Sequence, residues 1–273
     1  WAWDWEARIQ ALHAAVVRGT YRPTPLRPAT IPKADGTRRR IYVATVTDRV
    51  LLRSVHDVLE DALDHRFTDS AFGYRPGRGV VDAVSEVIRL RGWGYRWVLD
   101  ADIRDCFPSL DHALLLTFLR KRVMDQDLLD LIALWLPYGR PRSVRRSQGP
   151  QGISLGAVTS PLFCNVYLHE MDTTLRRAGL EEVRYADDFV VLCRTRQERD
   201  EALETVKRSL EPLMLQLHPT KTRLNSFEEG FTFLGVSFKD RKYWYSRNGI
   251  QVQASDMGES FPLEIDGYPF EAR

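Results

Sequence analysis

The sequence predicts an α+β fold in which an antiparallel sheet is backed by helices. Two observations indicate this class: β-forming stretches that carry acidic residues, at 96–107 and 183–192, and helical stretches that alternate with them. With 273 residues, of which 44% are hydrophobic and 28% are charged, the chain can bury an ordinary core. The net charge of +2 excludes a polycation. The basic residues form local clusters instead, which suit a phosphate backbone or a solvated surface, at 38–40, 75–78, 120–122 and 140–146.

The helices are expected where apolar residues recur at helical spacing or where a capping residue opens a segment. Asp111 is a candidate N-cap, and Pro161 stands where the first turn of a helix tolerates proline. Earlier in the chain, prolines make 21–32 extended or turned, and 38–46 has β-forming residues. The expected helices cover about 3–18, 47–64, 111–119, 128–136, 160–177 and 198–215, the last broken near Pro212.

Two adjacent carboxylates, Asp187 and Asp188, are the most informative feature of the chain. Val183 and Tyr185 precede them and β-formers fill 189–192, which predicts a strand, a tight turn and a strand with the acids at the tip. Two acids at a hairpin tip repel each other, and a fold tolerates them most easily when a divalent cation lies between them. A solvated turn is the alternative, because Asp is common in turns.

A second acidic stretch strengthens the cation hypothesis. An apolar strand over 97–103 carries Asp100 and Asp102, and Asp105 follows it. If this strand pairs beside the hairpin, Asp102 can meet the doublet, and three carboxylates from two strands can hold two Mg²⁺ ions for an in-line phosphoryl transfer. Asp100 and Asp105 compete with Asp102 for the role. Strand alternation puts Asp100 and Asp102 on the same face, so the pattern alone does not choose between them.

Further motifs follow one another in order around these acids. They occupy 31–40 with 45–49, 72–78, 160–168, 217–222 and 233–236. With these motifs the chain resembles a reverse transcriptase over about residues 20–240. It looks most like the bacterial group II intron-like lineage, which includes the reverse transcriptases associated with CRISPR systems. The resemblance implies the fingers and palm of a right-hand polymerase fold.

The resemblance implies an RNA-directed DNA polymerase that extends a primer with dNTPs on an RNA or DNA template. It places two Mg²⁺ ions, or Mn²⁺ as a substitute, at Asp102, Asp187 and Asp188, with Ile103 beside them. Lys221 matches a lysine that lies near the leaving group as an acid or charge stabiliser, and an ordinary surface lysine is the alternative.

The resemblance also assigns residues to the triphosphate of the incoming nucleotide. Lys33 and Arg39 align with fingers residues that grip the triphosphate, where positive charge balances the charge that the leaving pyrophosphate gains. Arg38 and Arg40 are alternatives for the same task.

Selection of the nucleotide is assigned to Phe107 and to a pair of residues before the 160–177 helix. Phe107 follows Asp102 by five residues, where the family places a ring under the sugar that rejects a 2′-OH. A plain core Phe is the alternative. Leu155 and Gly156 stand where the family usually has Gln-Gly, which resembles the lower-fidelity enzymes of diversity-generating retroelements and implies altered fidelity.

The nucleic acid is expected to contact three motifs. Arg75 and Arg78 are candidate template or nucleotide contacts, with a structural role as the alternative. The other expected contacts are the start of a template-side helix and a hairpin at the primer end, at Ser160, Pro161, Phe233, Leu234 and Gly235.

The expected domains are fingers with an N-terminal helix over 1–93, a palm over 94–240, and a tail or linker over 241–273. Only 38 residues follow Gly235, and 255–273 has no helical period, so a complete helical thumb is expected to be absent or to lie beyond the end of this chain. Without a thumb, the isolated chain should bind primer and template poorly.

The remaining expectations concern compartment and partners. Cys106, Cys164 and Cys193 lie in apolar stretches and suggest buried thiols in a reducing compartment, and no apolar run is long enough to span a membrane. The resemblance implies a bacterial cytoplasm. A CRISPR integrase and RNA-processing domains, fused or bound, are candidate partners in spacer acquisition from RNA. The alternatives are a nucleic-acid-binding scaffold in a CRISPR adaptation complex, an intron or retroelement mobility enzyme, and an RNA-dependent RNA polymerase, against which Phe107 counts.

Overall fold

The computed structural model describes residues 4–32, 36, 38–139, 150–247 and 250–257. Its helices are α1 (Trp5–Val17), α2 (Val46–Leu63), α3 (Val80–Gly92), α4 (Cys106–Ser109), α5 (His112–Arg120), α6 (Gln126–Trp135), α7 (Ser160–Arg177) and α8 (Arg196–Leu210). Its strands are β1 (Arg27–Pro32), β2 (Arg38–Val43), β3 (Trp97–Asp102), β4 (Glu181–Tyr185), β5 (Asp188–Cys193), β6 (Arg223–Ser226), β7 (Phe231–Phe233), β8 (Val236–Lys239), β9 (Lys242–Arg247) and β10 (Ile250–Asp256).

The chain divides into two compact units, and each is made of two separate stretches. The first unit comprises Trp1–Ala62 and Asp111–Ser160, and the second comprises Leu63–Leu110 and Pro161–Arg273. These bounds describe compactness alone. The functional division into fingers, palm and tail at residues 93 and 240 stays a prediction.

The first unit contains the β1–β2 hairpin and helices α1, α2, α5 and α6. Asp111 caps α5 as expected, because its carboxylate accepts a hydrogen bond from the Leu114 N–H at 2.9 Å. Tyr21, in the proline-rich segment, donates its hydroxyl to the buried Asp48 of α2 and accepts a hydrogen bond from the Trp135 indole at 3.0 Å. These buried polar contacts anchor the extended segment to two helices.

The second unit is built on an antiparallel sheet of four strands in the order β4-β5-β3-β6. β5 is apolar from its second residue onward, because α8 packs against it and against β3, while α3 packs against β4. β3 is buried at Val98, Leu99 and Ala101 but only partly buried at Asp100 and Asp102. The apolar residues of β3 therefore pack in the core, and its two acids remain partly exposed.

A second sheet of four strands, in the order β10-β9-β8-β7, belongs to the same unit. Phe231 and Phe238 stack at a centroid distance of 4.9 Å, and Phe227 meets both of them edge-on. β9 and β10 continue the sheet past residue 240, into the range that the sequence assigned to a tail or linker. Tyr243 and Tyr245 are buried at alternate positions of β9, which is the period of a strand.

Most of the expected helices are confirmed with small shifts at their ends. α7 spans Ser160–Arg177 as expected, with proline in its first turn. The last expected helix ends at Leu210 and is followed by a 3₁₀ turn over Glu211–Leu213, because Pro212 cannot continue an α-helix.

The three cysteines are buried thiols, as their apolar surroundings predicted. Cys106 Sγ and Cys164 Sγ lie 3.8 Å apart, and this contact, together with burial, raises the pKa of Cys106 above its ordinary value. None of the helices that the structure describes is both long and apolar enough to cross a membrane.

Candidate active site

The acidic doublet lies where β4 turns into β5. Tyr185 pairs with Asp188 across the hairpin, so the turn itself consists of Ala186 and Asp187, and Asp188 is already the first residue of β5. Ala186 has a left-handed backbone, with φ of 61°. The expected strand, turn and strand are thus present, with one acid in the turn and the other beside it.

β3 brings a third carboxylate to this hairpin. Asp102 is the last residue of β3 and stands directly opposite Asp188 of β5 in the antiparallel register. The Ile103 N–H donates to the Asp187 carbonyl at 3.2 Å, which fixes the end of β3 against the turn. The structure therefore brings Asp102, Asp187 and Asp188 to one edge of the sheet.

The electrostatics of the cluster show an excess of negative charge. Burial and, to a smaller extent, the neighbouring carboxylates of Asp100, Asp102 and Asp187 raise the pKa of Asp188 to about 7, while Lys221 opposes them. A carboxyl group in this position holds its proton near neutral pH unless positive charge is added. The cluster is accordingly an environment that favours a bound cation.

The structure distinguishes Asp100 from Asp105, the two acids that compete with Asp102 for the role of metal ligand. Burial raises the pKa of Asp100 to about 6, with Arg223 of β6 lowering it and Asp102 raising it, so Asp100 belongs to the same cluster. Asp105 is 74% exposed and lies 3.9 Å from the Arg104 guanidinium. Asp105 therefore stands apart from the buried acids.

Lys221 adds the positive charge of the site. Its Nζ donates to Asp102 Oδ2 at 2.8 Å, and this hydrogen bond raises the pKa of the 58% exposed lysine. The loop that carries Lys221 is held at the same strand end, because the His218 N–H donates to the Asp102 carbonyl at 2.8 Å. The lysine that the sequence assigned to the leaving group thus contacts one of the predicted metal ligands, Asp102.

The carboxylates fit divalent cations by their chemistry. In the described part of the chain, no three His, Cys, Asp or Glu side chains stand close enough to enclose a metal ion without adjustment. Asp102, Asp187 and Asp188 nevertheless offer the oxygen ligands that Mg²⁺ prefers, and Mg²⁺ completes its shell with water and substrate phosphates. Ile103 has an apolar side chain that is 1% exposed, so only its main-chain carbonyl could serve as a ligand.

Phe107 belongs to the same unit as the acids. It lies in α4, the short helix that follows β3, and is 8% exposed. Both a core role and a role beside a nucleotide sugar are compatible with this position, and the gate stays a prediction.

The other expected nucleotide-binding residues belong to the first unit. The Leu155 carbonyl accepts a hydrogen bond from the Tyr42 N–H at 2.9 Å, so Leu155 is held beside β2. Gly156 has φ of 111°, and an added Cβ would stand 3.1 Å from the Tyr42 carbonyl, which explains glycine there. Arg39 pairs with Ile31 in the β1–β2 hairpin, and Lys33 lies outside the described residues.

The structure separates the two arginines that were expected to contact template or nucleotide. Arg75 has a 6% exposed side chain, and all five of its N–H groups donate within the chain, to the Asp64 carboxylate and to the carbonyls of Asp64, Thr68 and Ala71. All donors of Arg75 are thus engaged within the chain, which supports the structural alternative, and its contact with template or nucleotide stays a prediction. Arg78 is 27% exposed and pairs with the nearly fully exposed Asp69 at 2.9 Å, so a ligand could still reach it.

The expected template and primer motifs have the predicted local structure. Ser160 opens α7 and is buried, and Pro161 follows it in the first turn. Phe233 ends β7, and Leu234 and Gly235 form the tight turn to β8 with φ values of 51° and 78°. Their contacts with nucleic acid stay predictions.

Buried polar residues that the sequence patterns did not indicate lie behind the turn. Arg184 and Asp172 form an ion pair in which both side chains are 0% exposed. The signal that could have indicated this pair was an arginine between the apolar Val183 and the doublet, in a strand whose central residues are buried.

Comparison with known proteins identifies the class. Residues 31–238 match the family described as reverse transcriptase (RNA-dependent DNA polymerase). The match covers well over half of the chain, so the chain belongs to this family, the RNA-directed DNA polymerases, whose members generally use divalent metal ions.

The chain is also similar to individual proteins. Protein YkfC of Escherichia coli is 28% identical over 266 residues, which cover 83% of this chain and 70% of YkfC. The group II intron-encoded protein LtrA of Lactococcus lactis subsp. cremoris is 31% identical over 168 residues, which cover 61% of this chain and 28% of LtrA. The chain thus spans less than a third of LtrA.

A solved structure supports the fold. Telomerase from Candida albicans, in complex with a TWJ fragment of telomeric RNA, matches with a TM-score of 0.63 and 15% identity, over 84% of this chain and 46% of the telomerase chain. At this identity the likeness concerns the fold alone, and it confirms the α+β class with fingers and palm.

Proposed function

We propose that this chain extends a primer with dNTPs on an RNA or DNA template, in the cytoplasm of a bacterium. The observation that carries the proposal is the register of β3 against β5, which sets Asp102 opposite Asp188 and beside Asp187. The pKa of Asp188, raised to about 7 by burial and by three like charges, marks this edge as a site that favours cations.

The proposed reaction is an in-line displacement. The primer 3′-hydroxyl gives up its proton to solvent water as its oxygen forms a bond to the α-phosphorus. The bond between the α-phosphorus and the oxygen that bridges it to the β-phosphorus breaks, and pyrophosphate leaves. Asp102 and Asp187 would hold Mg²⁺, with Asp188 in support and Mn²⁺ as a substitute. Bound there, the divalent cations would supply Lewis acidity to the attacking and leaving oxygens.

Lys221 is assigned to the charge of the leaving group. Its hydrogen bond to Asp102 raises its pKa, so the ammonium is retained at neutral pH and lies beside the metal-binding acids. A fixed positive charge there stabilises the negative charge that develops on pyrophosphate.

Nucleotide selection is assigned to residues that the family resemblance names. Phe107 would reject a 2′-OH, and Lys33 and Arg39 would grip the triphosphate, which favours DNA synthesis over RNA synthesis. Leu155 lacks the side-chain donors of the glutamine that the family usually has, so we assign it an effect on fidelity.

A homopolymer assay tests the proposal. The chain should extend oligo(dT) on poly(rA) with dTTP and Mg²⁺, stop when EDTA removes the metal, and incorporate UTP far more slowly. A chain that binds poly(rA)/oligo(dT) but never extends it would instead support the nucleic-acid-binding scaffold. Faster extension with UTP would favour an RNA-dependent RNA polymerase.

The biological setting is a finer proposal. Similarity to LtrA supports a mobile-element enzyme of the group II intron type. We propose spacer acquisition from RNA, with a CRISPR integrase and RNA-processing domains fused or bound, as the specialised alternative, on the motif resemblance alone. Copurification of an integrase that inserts newly made DNA into a CRISPR array tests it, and insertion that is unchanged without this chain would reject it.

A further inference from the structure

A fully buried ion pair lies directly behind the turn that carries Asp187. Arg184 belongs to β4 and Asp172 to α7, and both side chains are 0% exposed. Arg184 Nε and Nη2 donate to the two oxygens of Asp172 at 2.7 and 2.6 Å. This two-point contact fixes the plane of the guanidinium as well as its position.

The remaining terminal nitrogen of the guanidinium reaches the turn. Arg184 Nη1 donates to the Ala186 carbonyl at 2.9 Å and to Asn165 Oδ1 at 3.0 Å. The Ala186 carbonyl belongs to the peptide bond that leads into Asp187. Since Ala186 has the left-handed φ of 61°, which residues with a side chain seldom adopt, the turn needs support of this kind.

Asn165 extends the support to a neighbouring loop. Its Nδ2 donates to the Gly73 carbonyl at 2.8 Å, and the Phe72 N–H donates to the Arg184 carbonyl at 2.8 Å. A Cβ added at Gly73 would stand 2.5 Å from the Ala186 nitrogen, so the loop packs directly on the backbone of the turn. The turn is held by the hydrogen bond from Arg184, whose guanidinium is oriented by Asp172 and Asn165 of α7, and by close packing of this loop.

Stability alone is a weak reason for such a pair. Burying two charges costs desolvation energy that their attraction seldom exceeds, and apolar side chains of similar volume often serve stability equally well. A bidentate guanidinium instead gives direction and distance. We propose that Arg184, oriented by Asp172 and Asn165, is a positioning residue that sets the carboxylates of Asp187 and Asp188 against Asp102. This inference rests on the proposed function of the cluster.

Three variants separate positioning from stability. Arg184→Lys keeps the charge but lacks the planar fork, so it cannot make all four hydrogen bonds. Asn165→Ala removes two hydrogen bonds, one accepted from Arg184 and one donated to the Gly73 carbonyl, and leaves the Asp172–Arg184 pair intact. Arg199→Lys is the matched control, because Arg199 is a 5% exposed arginine on α8 that pairs with Asp200 and donates to the Asn225 carbonyl.

Two measurements on the full chain decide the question. The first is the rate of adding one dTMP at saturating dTTP, with the Kd for poly(rA)/oligo(dT) measured in parallel. The rate should fall roughly 100-fold in Arg184→Lys and about 10-fold in Asn165→Ala, as expected for a misplaced reacting group, while the Kd stays within about twofold. Arg199→Lys should lower Tm but leave the rate within about twofold.

The second measurement is amide hydrogen exchange over residues 184–188 without metal. Exchange there should accelerate in Asn165→Ala and not in Arg199→Lys. If Arg184→Lys fails to fold, Asn165→Ala decides. Equal rates of incorporation in Asn165→Ala and Arg199→Lys would overturn the proposal. If the wild-type chain adds no nucleotide, the proposed function fails, and hydrogen exchange alone tests positioning: equal exchange in the two variants would overturn it.

Discussion

Burial sets the titration of the acidic side chains in the second unit. It is the largest cause of the raised pKa of Asp100, Asp188 and Glu182, which reach about 6, 7 and 8. Glu182 differs from the other two because it lies away from the doublet. Its Oε2 accepts a hydrogen bond from the Ser70 hydroxyl at 3.0 Å, and its Oε1 has no hydrogen-bond partner among the described residues.

Glu182 predicts a specific dependence of stability on pH. Burial, with the charge of Asp172 adding to it and Arg184 opposing it, raises the pKa of Glu182 from 4.5 to about 8. Between these values the folded state binds more protons than the unfolded state, so the free energy of unfolding falls as pH rises from about 5 to 8. Glu182→Gln should remove about 1 kcal/mol or more of this fall.

Chemical denaturation across this pH range measures the effect. Glu181→Gln, at the neighbouring and less buried position of β4, is the matched control and should keep the wild-type slope. Parallel stability curves for wild type and Glu182→Gln would contradict a raised pKa at this residue.

At the scale of elements, the β4–β5 hairpin depends on the loop beside it. A Cβ added at Gly73 would stand 2.5 Å from the backbone nitrogen of Ala186 in the turn. Gly73→Ala should therefore displace the loop or the turn, lower the free energy of unfolding by about 1–3 kcal/mol, and slow primer extension. Gly92→Ala is the control, because nothing lies within 4 Å of its added Cβ.

Melting temperature and primer extension read out this pair of variants. Gly92→Ala should be neutral or slightly stabilising, since alanine favours the helix end at which it stands. A Gly73→Ala variant with wild-type stability and activity would show that the turn does not depend on the close approach of the loop.

At the scale of the whole molecule, the sequence predicted what local patterns encode. The β-formers around the doublet predicted the hairpin, Ser160 with Pro161 predicted the start of α7, and Asp111 predicted a cap. The Arg184–Asp172 pair could not be predicted from the sequence, because nothing in the residues near Arg184 specifies which helix packs on β4. Strands β9 and β10 were not predicted, because the polar stretch that begins at 255 led to one assignment, a tail or linker, for the whole end of the chain.

At this scale, the proposed function rests on membership of the family and on the acids that meet at one edge of one sheet. The chain belongs to the reverse transcriptases, and the second unit alone supplies Asp102, Asp187, Asp188 and Lys221. The same unit supplies the buried pair that supports the turn. The acids and the lysine of the predicted nucleotide-transfer site therefore all belong to one compact unit.

The most direct measurement is the rate of adding one dTMP to oligo(dT) on poly(rA), with Mg²⁺, in two variants that each neutralise one acid. Asp187→Asn should lower the rate at least about 10³-fold, because the lost metal ligand removes several kcal/mol of transition-state stabilisation. Asp105→Asn should keep nearly the wild-type rate, because Asp105 is exposed and stands apart from the buried acids, and Asn tolerates its left-handed backbone. Equal rates in the two variants would contradict a metal-dependent site at the doublet.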